Sequence, residues 1–429
     1  MPKDKTFLTV LLSLVFTQGI FEMLGVFSLT ITRLIIETII LLFFIKIVFR
    51  KDRIIFPSFL LYMGFVCICL ASGLANDKTF LEILMFFRRY GFLYLFLVAV
   101  INSRLGYKDK NKIEKLIIIF FILQVPVTII KYISLGVTEQ VVIGTINPTL
   151  GSLPAIYPMA VISVSFSFFL YKKLSVFQLA SIIAASIFFG FAGAKRATVP
   201  YAIVGLLLTT FIFLLKEKYV LHFLKFIPIL AFVGCAVLYF GLRLTPDLNP
   251  QNKVWGKFDV NHAIEYYDRY SNRSIGGAEG SGRINAIGAS FRLLVADKIQ
   301  LFFGKGAGDL IMSSFSRFEK DPGENFKYNL GYGIRTGFLQ VLLQVGILGS
   351  LFLFSIYYRI LVKQFESYFR SKDKKQSAHI LAAIGLTTTF IIDTFSYSDI
   401  AIASLAFYIP FAILIGFNYR YIICSENLG

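Results

Sequence analysis

Arginine and lysine side chains recur inside or beside long apolar segments of this sequence, where a charged group is costly. Arg33, Arg88 and Arg89 lie within two such segments, and Lys195 and Arg196 follow a third. A cation at the centre of a membrane helix costs about 2.5–3.5 kcal/mol, so it requires a carboxylate, water or an anionic ligand. These five cations outnumber the nearby acidic residues, and a guanidinium group suits bidentate contact with phosphate. The sequence therefore predicts a bound phosphate group.

Internal pairing is the alternative for each of these cations. The candidate pairs are Arg33 with Glu37, one helical turn away, and Arg88 or Arg89 with Glu82 or Glu22. Long cationic side chains near a helix end can also reach the membrane interface. Pairing remains open for any single residue, whereas the excess of cations over acids favours an anionic ligand for the set.

The elements that must position these side chains are membrane helices. The chain of 429 residues is 56% hydrophobic and 16% charged, with a mean hydropathy of +0.72, whereas about a quarter of the residues of soluble chains are charged. Apolar segments of about 20 residues, enough to cross about 30 Å of hydrocarbon, recur throughout. We predict an all-α, polytopic membrane protein of about twelve spans. They lie near 7–27, 30–49, 56–75, 80–102, 114–134, 150–171, 175–193, 198–215, 221–242, 337–358, 377–395 and 400–418.

The short loops fall into two sets by their lysine and arginine content. One set carries most of the positive charge, at 3–5, 50–53, 104–112, 172–173, 216–218, 359–375 and 420. The other holds little beyond Lys78, Lys131 and the Lys195–Arg196 pair. Because positive charge marks cytoplasmic loops, both termini are predicted to be cytoplasmic, and Lys195 and Arg196 to lie outside. The net charge of +18 thus orients the chain and does not indicate nucleic-acid binding.

One connection, after the ninth span, is far longer than the others. It divides the chain into spans one to nine (1–242), a large outer loop (243–334), and spans ten to twelve with the C-terminus (335–429). Apolar residues at helical spacing predict one amphipathic helix over 284–303, and the following Gly-Lys-Gly-Ala-Gly segment predicts a turn. A second basic set lies in and just after this loop: Arg269, Arg273, Arg283, Arg292 and Arg335. A loop of this length suggests a functional role.

Short motifs lie in and around this loop. They are Gly282-Arg283, Gly304-Lys305-Gly306-x-Gly308, Leu339-Gln340 followed by Gly346-x-x-Gly349, and Ala194-Lys195-Arg196 in an earlier outer loop. In these motifs and in its topology the chain resembles the O-antigen polymerase and O-antigen ligase families of bacterial envelope polysaccharide assembly. The resemblance covers the topology and these regions only.

The resemblance implies an inner-membrane glycosyltransferase. The sequence has no phosphate-binding loop and no outward-facing pair of metal-binding aspartates, so we expect no cofactor and no metal. The enzyme would transfer a glycan from undecaprenyl diphosphate to a lipid-linked repeat unit at the periplasmic face, as an O-antigen polymerase does. Its partners would be the undecaprenyl-diphosphate-linked oligosaccharide, membrane lipid and a chain-length regulator protein. Catalytic arginines at the leaving diphosphate would be Arg196, Arg283 and Arg335. Further substrate contacts are expected from Arg88, Arg89, Lys195, Arg33, Arg273, Tyr266 and Tyr270.

Two other functions remain open. An O-antigen ligase would transfer the glycan to lipid A core or to a protein, but ligases of this family carry a histidine at the position of Arg335, which favours the polymerase. A flippase or transporter of lipid-linked oligosaccharide fits twelve spans, whereas the large outer loop argues against it. The tyrosines of 266–270 fit either sugar stacking or the membrane interface. The general base is left open among Asp268, Glu265, Glu279 and Asp393.

Overall fold

The structure is a computed structural model of the chain. It describes residues 3–50, 54–136, 144–146, 153–193, 197–217, 220–271, 283–310, 336–396, 398 and 404–426. Within these residues all regular structure is helical, which confirms the predicted all-α class. Seven of the described helices are long and apolar enough to cross a membrane, as expected of a polytopic membrane protein.

Helices occur at each of the twelve positions where a span was predicted. They are α1 Asp4–Met23, α2 Leu29–Val48, α3 Phe59–Ala75, α4 Phe80–Ile101, α5 Tyr107–Leu135, α6 Leu153–Leu170, α7 Val176–Ala192, α8 Thr198–Glu217, α9 Val220–Leu244, α13 Gly337–Arg370, α14 Lys374–Ser396 and α15 Leu405–Glu426. The long connection contains a 3-10 turn, Pro246–Leu248, and the helices α10 Val260–Ser271, α11 Arg283–Val295 and α12 Lys298–Phe303. The seven long apolar helices are α1, α4, α5, α6, α8, α13 and α14. The number of membrane crossings stays a prediction.

One end of the bundle, which we call the Asp4 end, is held by charged contacts. Asp4, at the start of α1, forms an ion pair with Arg50 after α2 and accepts a hydrogen bond from the amide of Arg104 after α4. Lys173, before α7, donates to the carbonyl of Lys375 at the start of α14. These residues belong to the loops that are rich in positive charge.

The opposite end, which we call the Lys78 end, gathers the other loops. Lys78, between α3 and α4, forms an ion pair with Asp309, which follows α12. Tyr201 in the first turn of α8 hydrogen-bonds to Ser396 at the end of α14, with an oxygen–oxygen distance of 2.6 Å. The described part of the long connection therefore lies at the same end as the weakly charged loops. Which end faces the cytoplasm stays a prediction.

Aromatic side chains pack the centre of the bundle between α6, α14 and α15. The Tyr157 ring lies 5.9 Å from that of Phe407 and 5.2 Å from that of Phe411, and Phe390 lies 5.4 Å from Phe407, measured between centroids. All four side chains are buried. By contrast, α2 and α5 expose rows of isoleucine and leucine, as helices facing lipid do.

Helix α13 is broken at Gly346, whose φ of 64° and ψ of −167° are non-helical. The rings of Phe338 and Phe354 lie 5.9 Å apart between centroids. In a straight helix these positions would be about 24 Å apart along the axis, at 1.5 Å per residue. Residues 337–345 therefore fold back beside the second part of α13, and we call them the re-entrant half-helix. The single span predicted near 337–358 is thus divided.

The amphipathic helix predicted over 284–303 is also divided, so that prediction is wrong in detail. Helix α11 ends at Val295, and Asp297 caps α12 by accepting a hydrogen bond from the amide of Ile299 at 2.9 Å. Apolar residues of α11 form a small core with the re-entrant half-helix: Ala286, Ala289 and Leu294 with Leu339, Leu342 and Leu343. Helices α11 and α12 are therefore packed onto α13.

Candidate functional site

The Gly304–Gly308 segment, predicted as a turn, is a buried junction with the re-entrant half-helix. The amide of Lys305 donates to the carbonyl of Leu343 at 2.7 Å, and the amide of Gly306 donates to the carbonyl of Gln344 at 3.2 Å. A break in a helix leaves backbone groups that need partners inside a membrane protein. The segment after α12 supplies them, so it holds the broken α13 in place.

Gln344 stabilises the junction through hydrogen bonds to its side chain and to its backbone carbonyl. Its Oε1 accepts hydrogen bonds from the amides of Gly308 and Leu310 at 3.1 and 3.2 Å. Ser72 of α3 donates to its carbonyl at 2.8 Å. Gln344 is fully buried, and the amides of Gly308 and Leu310 would lose their acceptor without its side chain.

Glycine is required where the two chain segments touch. Gly304 and Gly346 both have positive φ, and a Cβ on either would lie within 3.0 Å of backbone atoms of the other segment. An L side chain fits neither the dihedral angles nor the space. Two of the motifs that carry the family resemblance therefore meet in one junction, although some thirty residues separate them in the chain.

A matched pair of glutamines on α13 tests the junction. Replacing Gln344 by leucine leaves the amides of Gly308 and Leu310 without an acceptor, and we expect a loss of about 1–3 kcal/mol in the free energy of unfolding for each buried group left unpaired. Gln364 is equally buried, but neither its Oε1 nor its Nε2 has a partner among the described residues.

Replacing Gln364 by leucine is therefore expected to leave stability unchanged or to raise it. Thermal unfolding of the two purified variants in the same detergent makes the comparison. Equal losses in both variants would show that the hydrogen bonds of Gln344 do not hold the junction.

A charged pair joins α2 and α4 toward the Lys78 end. Arg88 Nε donates to Glu37 Oε2 at 2.6 Å, and their side chains are 21% and 12% exposed. Arg33, one turn before Glu37, also interacts electrostatically with this carboxylate. Internal pairing therefore holds for Arg88, and its partner is on a neighbouring helix. Glu82, a partner that the sequence offered, instead caps the first turn of α4.

Arg89 and Tyr90 link this charged pair to the re-entrant half-helix. The Arg89 guanidinium lies 5.8 Å from the centroid of the Tyr90 ring. The hydroxyl of Tyr90 donates to Gln340 Oε1 at 2.9 Å. Three consecutive residues of α4 therefore contact α2 on one side and α13 on the other. The predicted residues Arg33, Arg88 and Arg89 come together here.

Asp393 is the one candidate base that is buried among the described residues. It lies near the end of α14 and its Oδ1 accepts a hydrogen bond from the Ser398 hydroxyl at 2.8 Å. One turn further, Ser396 binds Tyr201 in the first turn of α8. Glu265 and Asp268 are exposed on α10. Glu279 lies outside the described residues.

The remaining predicted site residues are only partly described. Lys195, Arg196, Arg273 and Arg335 lie outside the described residues. Arg283 is the first residue of α11, as the Gly-Arg motif predicts, but its side chain and that of Tyr270 fall outside the described part. Tyr266 is half-buried and packs against Leu242, Leu248 and Ala263. Its ring is therefore part of a small core, and is only partly available for stacking on a sugar.

Gln344 and Tyr90 were not identified as site residues from the sequence. The available signal was a pair of glutamines, Gln340 and Gln344, one turn apart in an otherwise apolar stretch. Polar residues at this spacing share one helix face, and in a membrane protein such a face marks a buried polar contact.

Neither metal ligands nor known relatives identify the site. Within the described residues, no group of three or more histidine, cysteine, aspartate or glutamate side chains is placed to hold a metal ion. No protein-family model matches the chain, and no curated protein shows significant similarity to it. The functional assignment therefore depends on the chemistry of the site.

Proposed function

We propose that this protein is an O-antigen or related surface-polysaccharide polymerase, a glycosyltransferase whose donor is a glycan on undecaprenyl diphosphate. The observation that carries the proposal is the junction at Gly346. It holds helices α11 and α12 against a re-entrant half-helix that contacts Tyr90 of α4, the residue after Arg88 and Arg89. This arrangement offers a membrane-level site for a diphosphate and an overlying segment for the glycan.

The proposed orientation follows from the charges of the two ends. The Asp4 end carries the lysine- and arginine-rich loops and would face the cytoplasm. The Lys78 end, with the long connection, would then face the periplasm of a bacterium, and twelve helices would cross the inner membrane. The acceptor repeat unit, membrane lipid and a chain-length regulator protein are the expected partners at this face.

The proposed chemistry assigns guanidinium groups to the leaving group. The acceptor hydroxyl oxygen attacks the anomeric carbon of the donor sugar while its proton passes to a carboxylate, for which buried Asp393 is our candidate. The bond between the anomeric carbon and the diphosphate oxygen breaks, and negative charge grows on the diphosphate. Arginines at that oxygen stabilise the transition state more than the ground state. Arg196, Arg283 and Arg335 are proposed for this role.

A transporter of lipid-linked oligosaccharide is the second candidate, and the break in α13 favours it. Discontinuous helices near the membrane midplane are a recurring feature of transporter binding sites. An O-antigen ligase would share the donor and differ only in the acceptor.

Complementation distinguishes the three functions. A strain that lacks the gene receives the wild type, Arg196→Ala, Arg283→Ala or the control Arg359→Ala, which changes an exposed arginine on the last part of α13. For a polymerase, we expect the first two variants to express normally and to give lipid A core carrying a single repeat unit, whereas the control restores long chains.

Other patterns overturn the polymerase. Full chains that accumulate on undecaprenyl diphosphate without reaching core indicate a ligase. Lipid-linked units that stay on the cytoplasmic face indicate a transporter. Wild-type polysaccharide in both arginine variants would show that these residues only anchor the chain at the interface.

A further inference from the structure

The re-entrant half-helix begins with an uncapped N-terminus that is buried in the protein. Thr336 is its N-cap residue, and the Thr336 side chain makes no capping hydrogen bond. The first bonded amide is that of Gln340, which donates to the carbonyl of Thr336 at 3.1 Å. The amides of residues 337–339 have no acceptor within the described part of the chain. Buried amides of this kind normally have a partner.

Two buried hydroxyl groups, one at this N-terminus and one on the helix packed against the half-helix, also lack partners among the described residues. Thr336 is 2% exposed and Ser290 of α11 is fully buried, and neither hydroxyl oxygen hydrogen-bonds to any described residue. Ser290 lies one turn from both Ala286 and Leu294, on the face of α11 that packs against the re-entrant half-helix. The two helices thus enclose free hydroxyl and amide donors.

Side-chain contacts place this N-terminus inside the bundle, near the arginines of α4. The Phe338 ring stacks on Phe395 of α14 with centroids 4.9 Å apart. One turn after Thr336, Gln340 accepts the hydrogen bond from Tyr90, which follows Arg88 and Arg89 in α4. A group bound at the N-terminus would therefore lie on the Tyr90 side of α4, whereas Arg88 contacts Glu37 on the other side.

We propose that the N-terminus of the re-entrant half-helix, with the hydroxyls of Thr336 and Ser290, binds a phosphoryl group of an isoprenyl diphosphate. Free amides at a helix start carry a partial positive charge and bind anions, and phosphate above all. Hydroxyl groups add donors to its oxygens. This site rests on the proposed function, because it assigns the lipid-diphosphate donor to defined residues. It places the leaving group at the start of the half-helix, one helical turn from the hydrogen bond between Gln340 and Tyr90.

Ligand binding by the full-length protein in lipid nanodiscs tests the site directly. The probe is farnesyl diphosphate, with farnesol as the uncharged comparison. Thr336→Val and Ser290→Ala each remove one hydroxyl that contacts a charged group, so we expect the Kd of farnesyl diphosphate to rise about tenfold or more in each. Thr336→Ser keeps the hydroxyl and is expected to bind like the wild type.

Control variants remove hydroxyls that already have partners. Thr389→Val and Ser167→Ala change fully buried residues whose hydroxyls donate to the preceding helical turn at 2.8 and 2.7 Å. We expect these variants to keep the wild-type Kd. Because removing an unsatisfied hydroxyl is nearly neutral for folding, the unfolding midpoint of unliganded Thr336→Val should not fall. Its loss of affinity then cannot be attributed to misfolding.

Two results would overturn the site: unchanged affinity in Thr336→Val and Ser290→Ala, or equal affinity of the wild type for farnesol and farnesyl diphosphate. A separate glycan-transfer assay with a synthetic lipid-linked repeat unit keeps the two proposals apart. Diphosphate binding through Thr336 and Ser290 without transfer would retain the site and reject the polymerase. Glycan transfer by the wild type, together with unchanged binding of farnesyl diphosphate in both variants, would retain the polymerase and reject the site.

Discussion

Replacing Glu37 by methionine is expected to lower the free energy of unfolding by up to about 3–5 kcal/mol, the cost of breaking a buried ion pair, because it leaves the largely buried Arg88 guanidinium without its carboxylate. Replacing Arg88 by methionine should cost less. A lone buried carboxylate can take up a proton and become neutral, whereas arginine cannot lose its charge. Unfolding of both variants in mixed detergent micelles, monitored by circular dichroism, measures the difference.

The double variant Glu37→Met/Arg88→Met completes the thermodynamic cycle. Two apolar side chains of similar volume replace the pair, and such replacements are often neutral or stabilising by about 1–4 kcal/mol. Glu366→Met is the control, because Glu366 forms an exposed pair with Lys363 and its removal should change little. A double variant as unstable as Glu37→Met would show that the cost comes from packing and not from the unpaired charge.

The same cycle separates two roles of Arg88 in the proposed reaction. If Arg88 serves only to neutralise Glu37, the double variant should regain the glycan transfer that a single variant loses. If Arg88 contacts the donor diphosphate, the double variant stays inactive although it is folded. Stability and transfer measured on the same three proteins therefore distinguish a structural cation from a substrate-binding one.

The positions of the helices were predictable from sequence because lipid imposes a simple rule. About twenty apolar residues must form a helix when no water is available to the backbone. Each predicted span coincides with a helix, and the loop charges sorted the helix ends into the same two groups that the contacts of Asp4 and Lys78 define. The start of α11 at Arg283 also followed from a local motif.

The break in α13 was not predictable, because Gly346 lies in an apolar run like many helix-packing glycines. Its positive φ is stable only where Gly304 supplies backbone partners, and that contact comes from a distant part of the chain. The partner of Arg88, Glu37, could not be predicted from the sequence for a related reason. Sequence spacing identifies neighbours within one helix, such as Glu82 for Arg88, but does not tell which helices pack side by side.

Replacing Gly346 by alanine is expected to destabilise this protein strongly, although it adds only one methyl group. The dihedral angles of Gly346 are accessible almost only to glycine, and forcing another residue into them costs about 1–3 kcal/mol. The new Cβ would also collide with backbone atoms of Phe302 and Gly304, and overpacking of this kind adds about 1–3 kcal/mol. Thermal unfolding of the purified variant measures the combined loss.

Gly234→Ala is the matched control, since Gly234 lies in α9 and a Cβ added there would meet no atom of another described segment within 4 Å. Alanine there should raise helix stability by about 0.5–1 kcal/mol. The two variants thus add the same methyl group with opposite expected signs. Equal stability of Gly346→Ala and the wild type would contradict a tightly closed junction.

Trypsin offers a local measurement for the same variant. The amide of Lys305 is bonded to Leu343 in the junction, which should protect the following peptide bond from cleavage. In Gly346→Ala the two segments cannot close, so cleavage after Lys305 should become fast under conditions where the wild type is intact. Since Thr336 is the N-cap of the half-helix, an opened junction should abolish farnesyl diphosphate binding together with the protection. If Gly346→Ala lost only the protection from trypsin, or only the binding of farnesyl diphosphate, the anion site would not depend on the break in α13.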